Sequence, residues 1–256
     1  MTSFGLFKGE CALVTGSASN IGRAIAEALA AEGAEVLLAD IDPDRNNQVA
    51  DKIRTAGGSA EAISVDLASR DGWRGLLTAL GDRPVHMLVH SASPPRREGD
   101  HLAEVSEETF DAMLGVNVRS GFFLARELGK RMQRAGIRGR MLVVTSLHAQ
   151  TPRNLPHYSA SKAGQTMLVK ELARAFGPSG IRINAIAPGA IPGGGFNAAA
   201  FDFDGKIPLG RLGRAEDLAG PALALLSDHF AGYVTGTTLV VDGGIALHNW
   251  ITPVSE

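Results

Sequence analysis

Tyr158 and Lys162 stand four residues apart in Tyr158-Ser159-Ala160-Ser161-Lys162, a spacing that puts both side chains on one face of a helix. A free phenol ionises at about 10, too high for a good base at neutral pH. An ammonium beside it stabilises the phenolate and lowers that value, so the pair is a candidate proton-transfer device. Ser146 lies just past the apolar run Met141–Thr145. A hydroxyl there can hydrogen-bond a substrate oxygen as charge develops on it. Asn117, in the helical segment before that run, is a fourth polar candidate. Each residue also has a plainer reading: a solvated helix face, a strand-end turn, a helix cap or kink. What favours chemistry is their joint occurrence, in chain order, on one expected architecture.

A second group is Thr15-Gly16-Ser17-Ala18-Ser19-Asn20-Ile21-Gly22. A strand there runs into a glycine turn that opens onto a helix, so backbone N–H groups and the positive end of the helix dipole face a phosphate. Gly16 lets the chain turn sharply, and Gly22 lets the helix lie close to the sheet. Asn20 stands where a third glycine is usual. Asparagine tolerates left-handed backbone angles, so the turn is expected to survive. Asp40 ends the second strand, eighteen residues after Gly22. Its carboxylate can accept hydrogen bonds from both hydroxyls of an adenosine ribose, and it repels a 2′-phosphate. No Arg or Lys lies between Gly16 and Gly22 or directly follows Asp40. The expected cofactor is therefore NAD rather than NADP. Asp66, ending the third run, is a candidate contact for the adenine ring, and Leu67 follows it.

The elements that must position these groups follow from hydrophobic patterning. Apolar runs at Cys11–Val14, Val36–Ala39, Ala62–Val65, Val85–Val89, Met141–Thr145, Ile181–Ile186 and Thr238–Val241 alternate with longer helical patterns. The runs are continuous, as in strands buried on both faces. Ile21–Ala31 has helical spacing with Gly33 as its stop, and Tyr158 opens a helical stretch reaching about Phe176. This rhythm predicts an α/β protein with a doubly wound Rossmann fold, a seven-stranded parallel sheet flanked by helices. With no internal repeat or linker, one domain over residues 1–256 is expected. Segments 93–101 and 190–207 are rich in Gly, Pro and charge and follow expected strands. The ligand crevice of such a sheet lies beyond the carboxyl ends of its strands, so both are candidate substrate loops.

The bulk properties narrow the class. The 256 residues are 45% hydrophobic, enough for a well-buried core. A net charge of −2 leaves no footprint for nucleic acid or a membrane surface. No window approaches the roughly 18 apolar residues of a membrane span. No signal peptide is recognised, and a cytoplasmic protein is expected. The single cysteine, Cys11, excludes an internal disulfide and reads as a small core residue. No metal site is expected.

As a set, these motifs resemble the short-chain dehydrogenase/reductase family over nearly the whole chain. The resemblance rests on Thr15–Gly22, Asn117, Ser146, Tyr158, Lys162 and Pro188-Gly189 after the sixth strand. It also rests on Pro208-Leu209-Gly210-Arg211-Leu212-Gly213-Arg214 and on Gly236-Thr237 followed by Val241-Asp242-Gly243-Gly244. It implies that Tyr158 is the general acid/base and that Ser146 holds the substrate oxygen. Lys162 would bind the nicotinamide ribose and lower the Tyr158 pKa, and Asn117 would hold a water that passes the proton to solvent. The resemblance implies cofactor contacts at Gly16, Ser19, Asn20, Ile21 and Gly22, at Ser91 and Ala92, and at Pro188, Gly189 and Ile191, alongside Tyr158 and Lys162. It further implies a homotetramer.

Some residues depart from the family pattern. His90-Ser91-Ala92-Ser93 stands where Asn-Asn-Ala-Gly is usual, so contacts behind the cofactor must be made another way. The Ser146–Tyr158 interval is one residue short. Thr145 fits the commoner interval, but its place within the strand favours Ser146. Gly193 falls where a Thr often touches the carboxamide, which leaves the Ile191 backbone as the expected contact.

Arg96 and Arg97 after the fourth run, with His148, Arg153 and His157 around the Ser146–Tyr158 segment, are candidate substrate contacts. Arginine forks suit carboxylates and sulfonates. Gly193-Gly194-Gly195 before Phe196 suggests a mobile cover. The expected activity is NAD-dependent interconversion of a secondary or hemiacetal hydroxyl and a carbonyl on a polar small molecule. A sugar or sugar derivative, with or without an anionic group, is the expected substrate. The plainer reading of these charges is solvated loops, or pairing with Glu98 or Asp100. Three other functions compete. Reduction of a 3-oxoacyl thioester usually favours NADP, which Asp40 opposes. A catalytically silent NAD-binding scaffold would not need the four intact polar residues. A cofactor-free lyase or dehalogenase typically loses the glycine turn and the lysine.

Overall fold

The computed structural model describes residues 4–247 apart from Glu98, Gly194 and Phe201. In chain order its elements are β1 (Cys11–Thr15), α1 (Asn20–Ala31), β2 (Glu35–Asp40), α2 (Pro43–Thr55), β3 (Ser59–Ser64), α3 (Gly72–Leu80) and β4 (Met87–His90). There follow α4 (Glu107–Leu114), α5 (Gly121–Ala135), β5 (Arg140–Val144), α6 (Pro156–Phe176), β6 (Arg182–Pro188), α7 (Ala219–Leu226), α8 (Asp228–Ala231) and β7 (Thr238–Val241). All the strands pair in parallel, in the order β3-β2-β1-β4-β5-β6-β7. The chain order reverses between β1 and β4, and this is where such a sheet opens a ligand crevice.

Side chains alternate across the strands into two cores. Leu13, Leu37, Leu88 and Met141 face one side, against Leu76 of α3, Leu124 and Leu128 of α5, and Val169 and Phe176 of α6. Ala12, Val14, Val36, Leu38 and Leu142 face the other, against Ile25 and Leu29 of α1, Ile53 of α2 and Leu226 of α7. With helices on both faces, every residue of β1, β4, β5 and β6 is buried. That is why those runs read as continuously apolar.

The sheet edges differ from the sequence reading. β3 begins at Ser59, three residues before the expected Ala62–Val65 run, and its residues are only partly covered. An edge strand pairs on one side only, so polar residues are tolerated and the apolar signal shortens. β4 pairs from Met87 rather than Val85, and β6 runs on to Pro188, opposite Val241. Proline costs nothing in the ladder where its nitrogen is not needed as a donor. Gly33 has φ of +92°, and its N–H meets the Ala30 carbonyl, so it stops α1 as expected. No described helix is long and apolar enough to cross a membrane.

Candidate active site

β1 delivers the chain to Gly16, which has φ of +70° and whose added Cβ would meet the Ala92 nitrogen at 2.6 Å. A Cβ on Gly22 would run into the Gly16 carbonyl oxygen, so α1 begins hard against the turn. Asn20 takes the left-handed region with φ of +48°, as its residue type allows. Its amide touches the later loop: a Cβ on Gly193 would lie 2.7 Å from Asn20 Nδ2. Two buried polar residues that sequence reasoning missed brace the turn. Ser17 Oγ donates to Asn46 Oδ1 at 2.8 Å, and Asn46 Nδ2 donates to the Leu38 carbonyl at 2.8 Å. A buried Asn on α2 was the signal available.

The Asp40 carboxylate is fixed at the end of β2, accepting from the Ala18 N–H at 2.9 Å and the Asp42 N–H at 3.0 Å. It lines a cavity of about 850 Å³ that runs from this end, past Ser91, Pro188, Gly189 and Ile191, to Ser146, Tyr158 and Lys162. Ser19, Asn20 and Ile21 line it with Gly16 and Gly22. The glycine cradle fits a pyrophosphate, since a side chain at either glycine would collide with backbone. Arg23 and Arg45 also line this end. Arg23 directly follows Gly22, and Arg45 lies in the first turn of α2. Arg45 Nε lies 3.4 Å from the Asp42 carboxylate.

Three cofactor candidates fall outside the cavity wall. Asp66 is exposed, with its carboxylate capping the Ala68 N–H at 2.8 Å. Leu67 buries its side chain in the core, while its carbonyl accepts from Ser120 Oγ at 2.6 Å. Ala92 lies directly behind Gly16.

At the other end, β5 and α6 bring the reactive groups together. Ser146 Oγ accepts from the His148 N–H at 3.2 Å and lines the cavity beside Tyr158. Thr145 Oγ1 instead donates to the Ile186 carbonyl at 2.9 Å, inside the sheet. Lys162 Nζ donates to the Val144 carbonyl at 2.9 Å and lies 5.5 Å from the Tyr158 ring centroid. Burial pushes the Lys162 ammonium down to about 7. Burial pushes the Tyr158 phenol up, opposed by the Ser146 hydrogen bond and the positive charge of Arg96.

The substrate candidates divide. Arg96, His148 and Arg153 line the cavity. Arg97 is exposed and does not, and Glu98, its suggested partner, lies outside the described residues. His157 is fully buried beside Tyr158 but off the cavity, and neither ring nitrogen has a hydrogen-bond partner among the described residues. Adjacent helix residues point apart, which removes His157 from the site. Burial, aided by the Arg96 charge, pushes His148 down to about 3, so it is a neutral ring there and not a cation. Of the Gly193–Gly195 run, Gly194 lies outside the described residues. Gly193 and Phe196 exchange backbone hydrogen bonds of 3.4 and 3.1 Å.

Comparison with known proteins fixes the family. The family described as enoyl-(acyl carrier protein) reductase matches residues 16–246. L-rhamnose 1-dehydrogenase (NAD(P)(+)) of Azotobacter vinelandii is 33% identical over 246 residues, covering 91% of this chain and 95% of its own. The chain belongs to the short-chain dehydrogenase/reductase family. Among solved members, a provisionally assigned NAD(P)-dependent gluconate 5-dehydrogenase of Beutenbergia cavernae with bound NADP superposes with a TM-score of 0.88. It is 36% identical, with 96% of this chain and 99% of that one covered. A gluconate 5-dehydrogenase of Burkholderia cenocepacia, solved with NADP and tartrate, gives 0.86 at 28% identity, over 94% and 97% of the two chains.

Within this short-chain dehydrogenase, the departures from pattern have physical replacements. Between α4 and α5 the chain winds as a π-turn, Gly115–Ser120, that carries Asn117. Asn117 is buried and does not line the cavity. It reaches α6 instead: Nδ2 donates to Ser161 Oγ at 2.9 Å, and Gln165 Nε2 donates to the Asn117 carbonyl at 2.9 Å. Ser161 in turn donates to the Tyr158 carbonyl at 2.8 Å. Ser161 and Gln165 were not among the expected residues, although their helical spacing from Tyr158 and Lys162 was visible. His90 fills the gap behind the cofactor turn. Its Nδ1 is 2.9 Å from Thr15 Oγ1, and its ring faces the Val116 and Asn117 carbonyls of the π-turn. Burial and the Lys162 charge push His90 down to about 4, so a neutral ring sits there. A Cβ on Gly121 would lie 2.7 Å from His90 Nε2, so the histidine and the glycine require one another.

Proposed function

We propose that this dehydrogenase oxidises a hydroxyl of a sugar or sugar acid with NAD, with Tyr158 as general base. One observation carries the reading: a single cavity joins the Asp40 rim to the Ser146–Tyr158–Lys162 group. NAD, when bound, supplies the hydride acceptor. Gly16 and Gly22 leave room for its pyrophosphate, Asp40 accepts from its adenosine ribose, and Lys162 holds the nicotinamide ribose. Ser146 Oγ donates to the substrate oxygen, and Tyr158 Oη takes the hydroxyl proton as hydride leaves the same carbon. Asn117 acts through Ser161, holding the turn of α6 that carries Tyr158 and Lys162. A homotetramer is the assembly we favour, supported by the exposed Phe230, Tyr233, Leu239 and Val240 on and before the edge strand β7.

The preference for NAD rests on Asp40, since the two gluconate dehydrogenases above hold NADP. In Asp40→Ala the ratio of kcat/KM with NAD to that with NADP is expected to fall by about tenfold or more, because charged hydrogen bonds to the ribose are worth about 1.5–3 kcal/mol. Removing the carboxylate also leaves Arg23 and Arg45 available to a 2′-phosphate. An unchanged ratio removes the ribose assignment.

The substrate reading rests on charge. Arg96 and Arg153 line the reactive end, and the acidic residues of the cavity wall, Asp40 and Asp42, lie at the other. A carboxylate on the substrate would meet this rim favourably. The test is turnover of glucose against gluconate with NAD, and gluconate is expected to give the higher kcat/KM. Equal values reject the anionic group.

A further inference from the structure

Arg96 belongs to the loop after β4, yet its guanidinium lies over the reactive phenol. Its Cζ is 5.5 Å from the Tyr158 ring centroid and 4.7 Å from that of Phe196. Its Nη1 is 3.3 Å from His148 Nε2, and the His148 ring meets Tyr158 edge-on with centroids 5.0 Å apart. The Gly195–Phe196 backbone is held against the same residue. Gly195 has φ of +89°, and a Cβ there would run into the Arg96 carbonyl oxygen. Arg96 therefore lies between the Phe196 and Tyr158 rings.

Four groups that can carry charge surround this end of the cavity: Lys162 on α6, Arg96 after β4, His148 after β5, and Arg153 before α6. His148 is neutral at working pH, for the reasons given above. Lys162 is buried enough to lose its proton at about 7. A guanidinium keeps its charge over the whole of that range. A cation against an aromatic face is attracted to the ring, and more strongly once the ring carries a negative charge.

We propose that Arg96, seated on Tyr158 by Phe196, is the permanent positive charge that sustains the Tyr158 phenolate. The proposal rests on Tyr158 being the base. The proton balance is unchanged: Tyr158 Oη takes the substrate hydroxyl proton and becomes a phenol. Arg96 favours the ionised form that precedes this transfer.

The chain has two tyrosines, and the other, Tyr233, is exposed. In a Tyr233→Phe background, tyrosinate absorbance therefore reports on Tyr158 alone and needs no turnover. Arg96→Met keeps the stem against Phe196 and removes the charge. It is expected to raise the Tyr158 midpoint by about one pH unit or more, the effect of a charge at this range. Arg96→Lys should fall between the two, and the pH profile of kcat/KM for glucose with NAD should move by the same amount. An unmoved midpoint and profile in natively folded Arg96→Met overturn the proposal. So does a change confined to KM for gluconate, which makes Arg96 a substrate contact only. If Arg96→Met does not fold, Arg96→Gln is titrated in its place under the same criteria. Failure of the Tyr158 reading shows separately, as activity retained by Tyr158→Phe.

Discussion

Tyr158→Phe is expected to lower kcat by about 10²–10⁴, the range for losing a positioned acid/base, with NAD affinity nearly unchanged. The substitution removes one oxygen and little else. The ring keeps its packing against His148 and Arg96, and Lys162 keeps its hydrogen bond to the Val144 carbonyl. Ser146 keeps its bond from the His148 N–H and can still hold a substrate oxygen. Only the proton acceptor is lost, so the effect belongs in kcat rather than in cofactor binding. Steady-state kinetics with a fluorescence titration of NAD separate the two. Activity within tenfold of the wild type would take the proton-transfer role away from the phenol.

Gly22→Ala attacks the opposite end of the cavity. The new methyl would strike the Gly16 carbonyl oxygen and lie 2.8 Å from its carbon. Both atoms are backbone, and the turn they belong to is pinned by Ser17 and Asn46, so no side chain can swing aside. The turn has to open, and the N–H groups that would hold the pyrophosphate lose their alignment. We expect the NAD Kd to rise by about 10²-fold, or about 2.7 kcal/mol. Thermal melting gives the readout. Wild-type protein at 100 times its Kd gains about 2.7 kcal/mol by linkage, a gain the variant should nearly lose. An equal NAD-induced shift in both proteins would place the pyrophosphate elsewhere. Absence of any shift in the wild type would remove the cofactor assignment altogether.

The parts read correctly from the chain are those governed by local rules. The interior strands announced themselves because burial on both faces demands an unbroken apolar run. Gly16, Asn20 and Gly22 were readable because positive φ and close backbone approach restrict residue type. The position of Asp40 at the end of β2 was also readable. Where local rules weaken, so did the reading. β3 is an edge strand with a diluted apolar signal, and Asp66 and Leu67 just beyond it do not reach the cavity. Arg97 and His157 are sequence neighbours of residues that do line the cavity, but neighbours on a loop or helix point in different directions. Asn117 lies in a helical segment as expected, but in a π-helical turn, and it reaches Tyr158 only through Ser161.

By itself, then, the sequence determined the pairing of Tyr158 with Lys162, because helical periodicity alone puts them on one face. It likewise determined the glycine turn and the interior of the parallel sheet. Only the tertiary structure decided what surrounds the phenol. His90 fills the space behind the cofactor turn, and Arg96 lies over Tyr158 beneath Phe196. Those contacts join loops remote in the chain, and no period or spacing rule constrains where such loops meet.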